Sequence, residues 1–366
     1  EAGFYLSGLL AFGLLLEQYG LLTGAYFGFG MAVFLLGFDL LFGFSLERNP
    51  ILAPLTRALG GLAAAIALLA CLSDGIRAGE VLVAFGLSAF FGLYAPLRRQ
   101  PLLGYLPAGL LAVSVLFLFA WLDWTGWSWA MIVLAGMYYL ASLGLGLFAR
   151  DWSQVLRFSG VGLGTLTSLA ALAEGPSVSA SIPIALAASL WAVEAFRRRN
   201  VWLGFPTNLL YLCSYFTLLV SLEVEQAQFY SIGAALLGML MHFLLTRAGS
   251  DKGAFVTGLV SQLTLLGTTY IQMLATEQLG YFAALFFQAL AVLIYGLVAR
   301  SRSLVGVPIA MLVLGVSTIV LFILRGLSTV ILIGCTGIVM ILAATLAVVL
   351  RERLAQVGER LSGWRA

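Results

Sequence analysis

Apolar runs of about twenty residues alternate with short polar turns along almost the whole chain. They predict helices at 4–17, 21–46, 51–72, 79–97, 102–122, 127–149, 154–173, 179–197, 201–221, 227–246, 254–275, 279–299, 303–324 and 327–350. A hydrocarbon core roughly 30 Å thick takes about 20 residues of helix to cross, so these lengths fit membrane spans. Arginine punctuates the pattern: Arg48, Arg99, Arg150, Arg199, Arg247, Arg300 and Arg351 recur 48 to 53 positions apart. That interval matches two spans with their turns. The expectation is an all-α, polytopic integral membrane protein of 14 transmembrane helices. They would form seven tandem helical hairpins at approximately 1–49, 50–100, 101–151, 152–199, 200–248, 249–301 and 302–350. The connections leave no room for a soluble domain. The tail, 351–366, carries Arg351, Glu352, Arg353, Glu359 and Arg360 and is expected to form a short amphipathic helix on the membrane surface.

Composition agrees with this pattern. Hydrophobic residues make up 62% of the chain and charged residues 10%, with mean hydropathy +1.05. A soluble domain carries about 25% charged residues, so this chain cannot clothe a globule in solvated surface. Of 19 basic residues, all but Arg77 and Arg325 fall on the face where the arginines recur. The opposite turns carry Glu17, Asp74, Glu80, Asp123, Glu174, Glu223, Glu225 and Glu277. By the positive-inside rule the basic face is cytoplasmic, with both termini on that side of a bacterial cytoplasmic or internal membrane. The chain begins Glu1-Ala2-Gly3, as a processed or incomplete start would, and has no cleavable signal pattern. Cys71, Cys213 and Cys335 are odd in number and embedded in apolar sequence, so neither a disulfide framework nor a metal site is indicated.

The repeat extends beyond the arginines. "LRRQPLLGYLPAGLL" from Leu97, "FRRRNVWLGFPTNLL" from Phe196 and "ARSRSLVGVPIAMLV" from Ala299 each pass from basic residues through glycine to Pro107, Pro206 or Pro308. Proline is tolerated in a first helical turn, where its missing N–H costs little. Gly160, Gly164 and Ser168, and likewise Gly24 and Gly28, stand four apart, as close-packed helix faces in lipid require. Such faces suit packing within the chain or against other membrane subunits. Trp121, Trp124, Trp127 and Trp129 crowd one turn and read as an interfacial anchor.

Ionisable groups at depth point to function in membrane proteins. Asp39 lies roughly 12 Å inside the basic edge and Arg57 at a similar depth on the next helix. They are expected to form an intramembrane charge pair, with a proton or cation site as the competing reading. A second set is polar but uncharged. Thr257, Ser261, Thr264, Thr268 and Gln272 recur at three- and four-residue intervals on the predicted helix 254–275. Asn208 and His242 fall at matching depth on neighbouring helices, and Gln288 near mid-membrane. These eight residues predict a substrate pocket for a headgroup, sugar or other uncharged polar group. Interhelical hydrogen bonding is the alternative.

Several chemistries are disfavoured. One histidine cannot supply paired bis-His haem ligation, no Walker-type run offers an ATP phosphate cradle, and neither H-E-x-x-H nor G-x-S-x-G occurs. No cofactor, metal, nucleic acid or ATP is implied, and no catalytic residue is indicated. The bilayer is the expected partner. Two functional readings fit: a transporter or flippase-like carrier of a neutral polar or lipid-like substrate, and a non-catalytic accessory or assembly subunit of a larger membrane complex. An enzyme acting on lipid-linked substrates ranks third.

Overall fold

The structure, a computed structural model, describes residues 24–46, 51–73, 76–299, 301 and 303–324. The predicted helices 4–17 and 327–350, the tail 351–366, and Arg48, Asp74, Arg300, Arg302 and Cys335 lie outside the described residues. Among the described residues there are 12 helices long and apolar enough to cross a membrane. They are α1 (Gly24–Leu46), α2 (Leu52–Ser73), α3 (Ala78–Leu97), α4 (Tyr105–Trp121), α5 (Trp127–Leu145), α6 (Arg150–Ala173), α7 (Val178–Arg198), α8 (Gly204–Ser221), α9 (Ala227–Arg247), α10 (Asp251–Thr276), α11 (Leu279–Ala299) and α12 (Ser303–Leu324). Short 3₁₀ turns at Pro101–Gly104 and Val201–Leu203 lead into α4 and α8.

The chain divides into two compact units, residues 1–175 with 182–190 and residues 176–181 with 191–366, so that α7 contributes to both. In the first unit the most extensive contacts join α1 to α2, α3 to α4 and α5 to α6; in the second they join α9 to α10 and α11 to α12. Each of these pairs is connected through a basic turn. Helices connected through acidic turns, such as α2 with α3 and α4 with α5, touch far less. In sequence, arginines therefore stand between the helices of the best-packed pairs, although the Arg197–Arg199 turn joins α7 to α8, which touch little.

Glycine explains how those pairs close. A Cβ on Gly28 of α1 would lie 2.8 Å from the Ala67 nitrogen of α2, and one on Gly160 of α6 would lie 2.7 Å from the Ala135 carbonyl oxygen of α5. On α11, a Cβ at Gly296 would lie 2.6 Å from the Leu304 carbonyl oxygen of α12. Lipid gives apolar surfaces no drive to associate, so backbone approach must come from such small-residue faces. Gly24, Gly164 and Ser168 are likewise covered by helices of the same chain or buried outright. The small-residue faces predicted from sequence are thus used inside the molecule.

Two copies of the repeated motif, at Arg98-Arg99 and Arg197-Arg198-Arg199, share one backbone form. Arg99 and Arg199 both take left-handed conformations, with φ 53° and 51°. Each closes its helix with paired N–H bonds: Arg99 and Gln100 donate to Pro96 and Ala95, and Arg199 and Asn200 donate to Phe196 and Ala195. Proline then occupies the third position of both α4 and α8. The one-residue offset between Pro107 and Pro206 is absorbed by the turn, because α4 starts at Tyr105 and α8 at Gly204. On the acidic side Glu174 accepts a hydrogen bond from the Trp127 indole, which ties the outer ends of α5 and α6 together. Cys71 and Cys213 are free thiols.

Candidate functional site

Two polar regions occur at the basic ends of helices, one in each unit. In the first unit Asp39 of α1 is fully buried. Arg57 of α2 donates from Nε to both carboxylate oxygens, at 3.1 and 3.3 Å. Tyr94 of α3 donates its hydroxyl to Oδ2 at 2.7 Å. Arg98, which caps α3, donates from Nη2 to the Asp39 main-chain carbonyl at 2.6 Å and forms an ion pair with Oδ2. Burial works against the Arg98 charge, but the hydrogen bond and charge of Asp39 outweigh it and push that guanidinium's pKa above its ordinary value. The expected Asp39–Arg57 pair is present and is half of a larger cluster. Tyr94 and Arg98 were missed because Arg98 also belongs to the topological arginines. Their spacing of four on one helix face was the available signal. Every acceptor of the carboxylate has a donor, so the chemistry of this cluster is to lock three helices together.

The second region is open. A cavity of about 1310 Å³ is lined by the last turns of α7 (Ala192, Ala195, Phe196), by α8 (Gly204, Thr207, Asn208, Tyr211, Tyr215) and by α9 (Ile232, Gly233, Leu236, Leu237, Leu240, Leu244). Arg197, Arg199, Asn200 and Arg247 line its basic end. Pockets for small molecules run to roughly 300–1,000 Å³, so this one exceeds the usual size. The two glycines that line it, Gly204 and Gly233, meet the Met241 and Tyr215 side chains first and not the backbone of a neighbouring helix. Helix α7 contains no glycine. Bulky Tyr211 and Tyr215 of α8 and Leu236 and Leu240 of α9 instead stand into the gap.

The eight polar residues predicted as a pocket do not share one site. Asn208 lines the cavity, with Nδ2 donating to the Leu237 carbonyl at a long 3.4 Å. His242 is buried against α10, its Nδ1 2.7 Å from the Ala254 carbonyl. A carbonyl only accepts, so Nδ1 carries the proton in that bond. Ser261 is buried opposite Gly238 of α9. Thr257, Thr264 and Thr268 donate back to the carbonyls of Gly253, Val260 and Thr264 on their own helix. Gln288 accepts from Thr269 at 2.7 Å, linking α11 to α10, and the buried Gln272 Oε1 has no hydrogen-bond partner. Periodicity placed these residues on one face of α10, yet a threonine in a helix satisfies itself by bonding one turn back. Helix α9 keeps the two surroundings apart: 236, 240, 244 and 247 face the cavity while 238, 241, 242 and 245 face α10 or are buried.

Sequence reasoning treated Arg197, Arg199 and Arg247 as topological anchors and gave no role to Thr207 or Tyr211. The available signal was the Arg197-Arg198-Arg199 run, the one triple arginine in the chain, beside helices without a glycine face. Compared with known proteins, the chain matches no family model, no curated protein and no solved structure.

Proposed function

We propose that the protein is a carrier, flippase-like in mechanism, that draws a lipid-like amphiphile into the cavity formed by α7, α8 and α9. The observation that carries this reading is the cavity itself: large, apolar along its walls, and polar at one end. The polar end lies among arginines that the positive-inside rule sets at the cytoplasmic surface. A lipid entering from that side would set its headgroup among Asn200, Asn208 and the arginines, and its chain against Leu236, Leu240 and Leu244. This account adds the predicted helices 4–17 and 327–350 to the twelve described, giving fourteen spans in seven hairpins with both termini cytoplasmic. No ATP-binding motif is present, so movement would follow the lipid gradient or couple to another protein.

A carrier would expose Asn208, His242 and Ser261 to one cavity, and a scaffold subunit would bury them in direct contacts. Asn208 follows the first expectation, while His242 and Ser261 follow the second. The carrier reading therefore rests on the cavity and not on the polar face of α10.

The test is translocation of fluorescent lipids in liposomes holding the full chain. Leu236→Trp and Leu240→Trp each add bulk to the cavity wall without removing a hydrogen bond. Both are expected to slow translocation at least about fivefold at unchanged protein incorporation, as a filled pocket should. Protein-free rates from the wild type, or wild-type rates from both variants, would remove the carrier reading. Stoichiometric co-purification with a defined complex, together with protein-free rates, would favour the scaffold.

A further inference from the structure

We infer that the occupant of the α7–α9 cavity is a lipid with an anionic phosphate headgroup held by Arg197, Arg199 and Arg247, an assignment that rests on the carrier reading of the cavity. Charge is the first ground. Three guanidinium-bearing residues line the cavity, and among the described residues no aspartate or glutamate does. Among the described residues none of the three forms an ion pair: the nearby Glu194 bonds Arg198, whose side chain is not part of the lining. Arginines at helix ends are expected on this face for topology alone. What sets these apart is their convergence from two helices and a turn on one concave, acid-free space. Guanidinium favours phosphate through forked, charge-assisted hydrogen bonds, and an anionic headgroup would neutralise charges that the fold leaves uncompensated.

Length is the second ground. From Gly204 to Tyr215 the cavity follows α8 for eleven residues, roughly 16 Å at about 1.5 Å per residue. Half of a hydrocarbon core is roughly 15 Å. The apolar walls thus match the depth of a single leaflet, with the basic residues at its surface. A soluble phosphate compound would use the arginines and leave the leucine walls of α9 unfilled, so the two features together select a membrane lipid.

The experiment measures lipids retained by the full chain purified from nanodiscs containing equal phosphatidylglycerol and phosphatidylcholine, read by native mass spectrometry. The wild type is expected to favour phosphatidylglycerol at least about tenfold, since each arginine near an anionic lipid contributes severalfold. R197Q/R199Q/R247Q should bring the ratio close to one. R99Q/R150Q/K252Q removes the same charge at other basic turns and should leave the preference in place. Glycerophosphate, which lacks acyl chains, should not displace the lipid. Equal retention of the two lipids by the wild type would overturn the inference, as would a preference that survives in R197Q/R199Q/R247Q or is lost equally in R99Q/R150Q/K252Q. Displacement by glycerophosphate would overturn the lipid assignment. Liposome assays on the same protein separate this from the carrier reading. Equal translocation of both lipids retains the carrier and sinks the headgroup assignment, whereas selective retention without translocation does the reverse.

Discussion

The basic end of the first unit is locked and that of the second stands open, although the same repeating arginines build both. Around Asp39, two guanidiniums and a tyrosine hydroxyl from α2 and α3 meet one carboxylate of α1, and both carboxylate oxygens have donors. At the α7–α9 cavity, three arginines line one space with no carboxylate among them. A single buried acid decides whether the arginines hold the protein to itself or are left to hold something else. Glycine acts in the same sense. The α1–α2 pair closes on Gly28 against backbone, whereas Gly204 and Gly233, which line the cavity, meet the side chains of Met241 and Tyr215 first.

Removing the acid should break the contrast most strongly. Asp39→Asn leaves Arg57 and Arg98 facing each other without the carboxylate that both engage. Loss of one partner from a buried ion pair costs about 3–5 kcal/mol, so the thermal unfolding midpoint in detergent should fall by many degrees. R197Q/R247Q, at the open end, removes no ion pair among the described residues and should leave the midpoint nearly unchanged. Comparable losses in both variants would erase the distinction between a lock and a binding end.

Tyr94→Phe removes one hydrogen bond to the same carboxylate. Bonds to charged groups contribute about 1.5–3 kcal/mol, so a smaller drop in midpoint is expected than for Asp39→Asn. Asn208→Ala, which loses only a long bond to Leu237, should cost less still. If Asn208→Ala proved the more damaging, the cavity would be a packed structural element rather than an open one.

The third prediction places an acid where the fold has none. Asn200→Asp keeps the side-chain oxygen that accepts from the Trp202 N–H at 3.0 Å, so stability should hold. The added carboxylate would offset part of the arginine charge and reduce the phosphatidylglycerol preference about fivefold. An unchanged lipid ratio would show that the arginines do not act through charge.

Much of the fold was legible in the sequence because bilayer thickness sets helix length, and the arginines mark depth. The predicted spans at 227–246 and 279–299 agree with α9 and α11 to within a residue or two. Others shifted where turn chemistry intervened. The predicted helix 127–149 ends at Leu145, since Gly146 opens a turn, and α6 then starts at Arg150 rather than at 154. Depth alone also matched Asp39 to Arg57. It could not reveal which neighbouring helices pack, because that depends on which face each glycine presents. Nor could it separate Thr268, which bonds its own helix, from Thr269, which reaches Gln288. The walls of the cavity were illegible for a related reason: beyond the Arg197-Arg198-Arg199 run, a missing close contact leaves no motif.

The most direct test of the central claim is photocrosslinking with a phosphatidylglycerol that carries a diazirine on its acyl chain, mapped by mass spectrometry on the full chain in liposomes. Crosslinks are expected to concentrate at Leu236, Leu240 and Leu244 of α9 and Tyr211 of α8, and to be lost when Leu240→Trp fills the space. Crosslinks spread evenly over outward leucines and isoleucines such as Leu263 and Ile271, with none in the cavity, would contradict it.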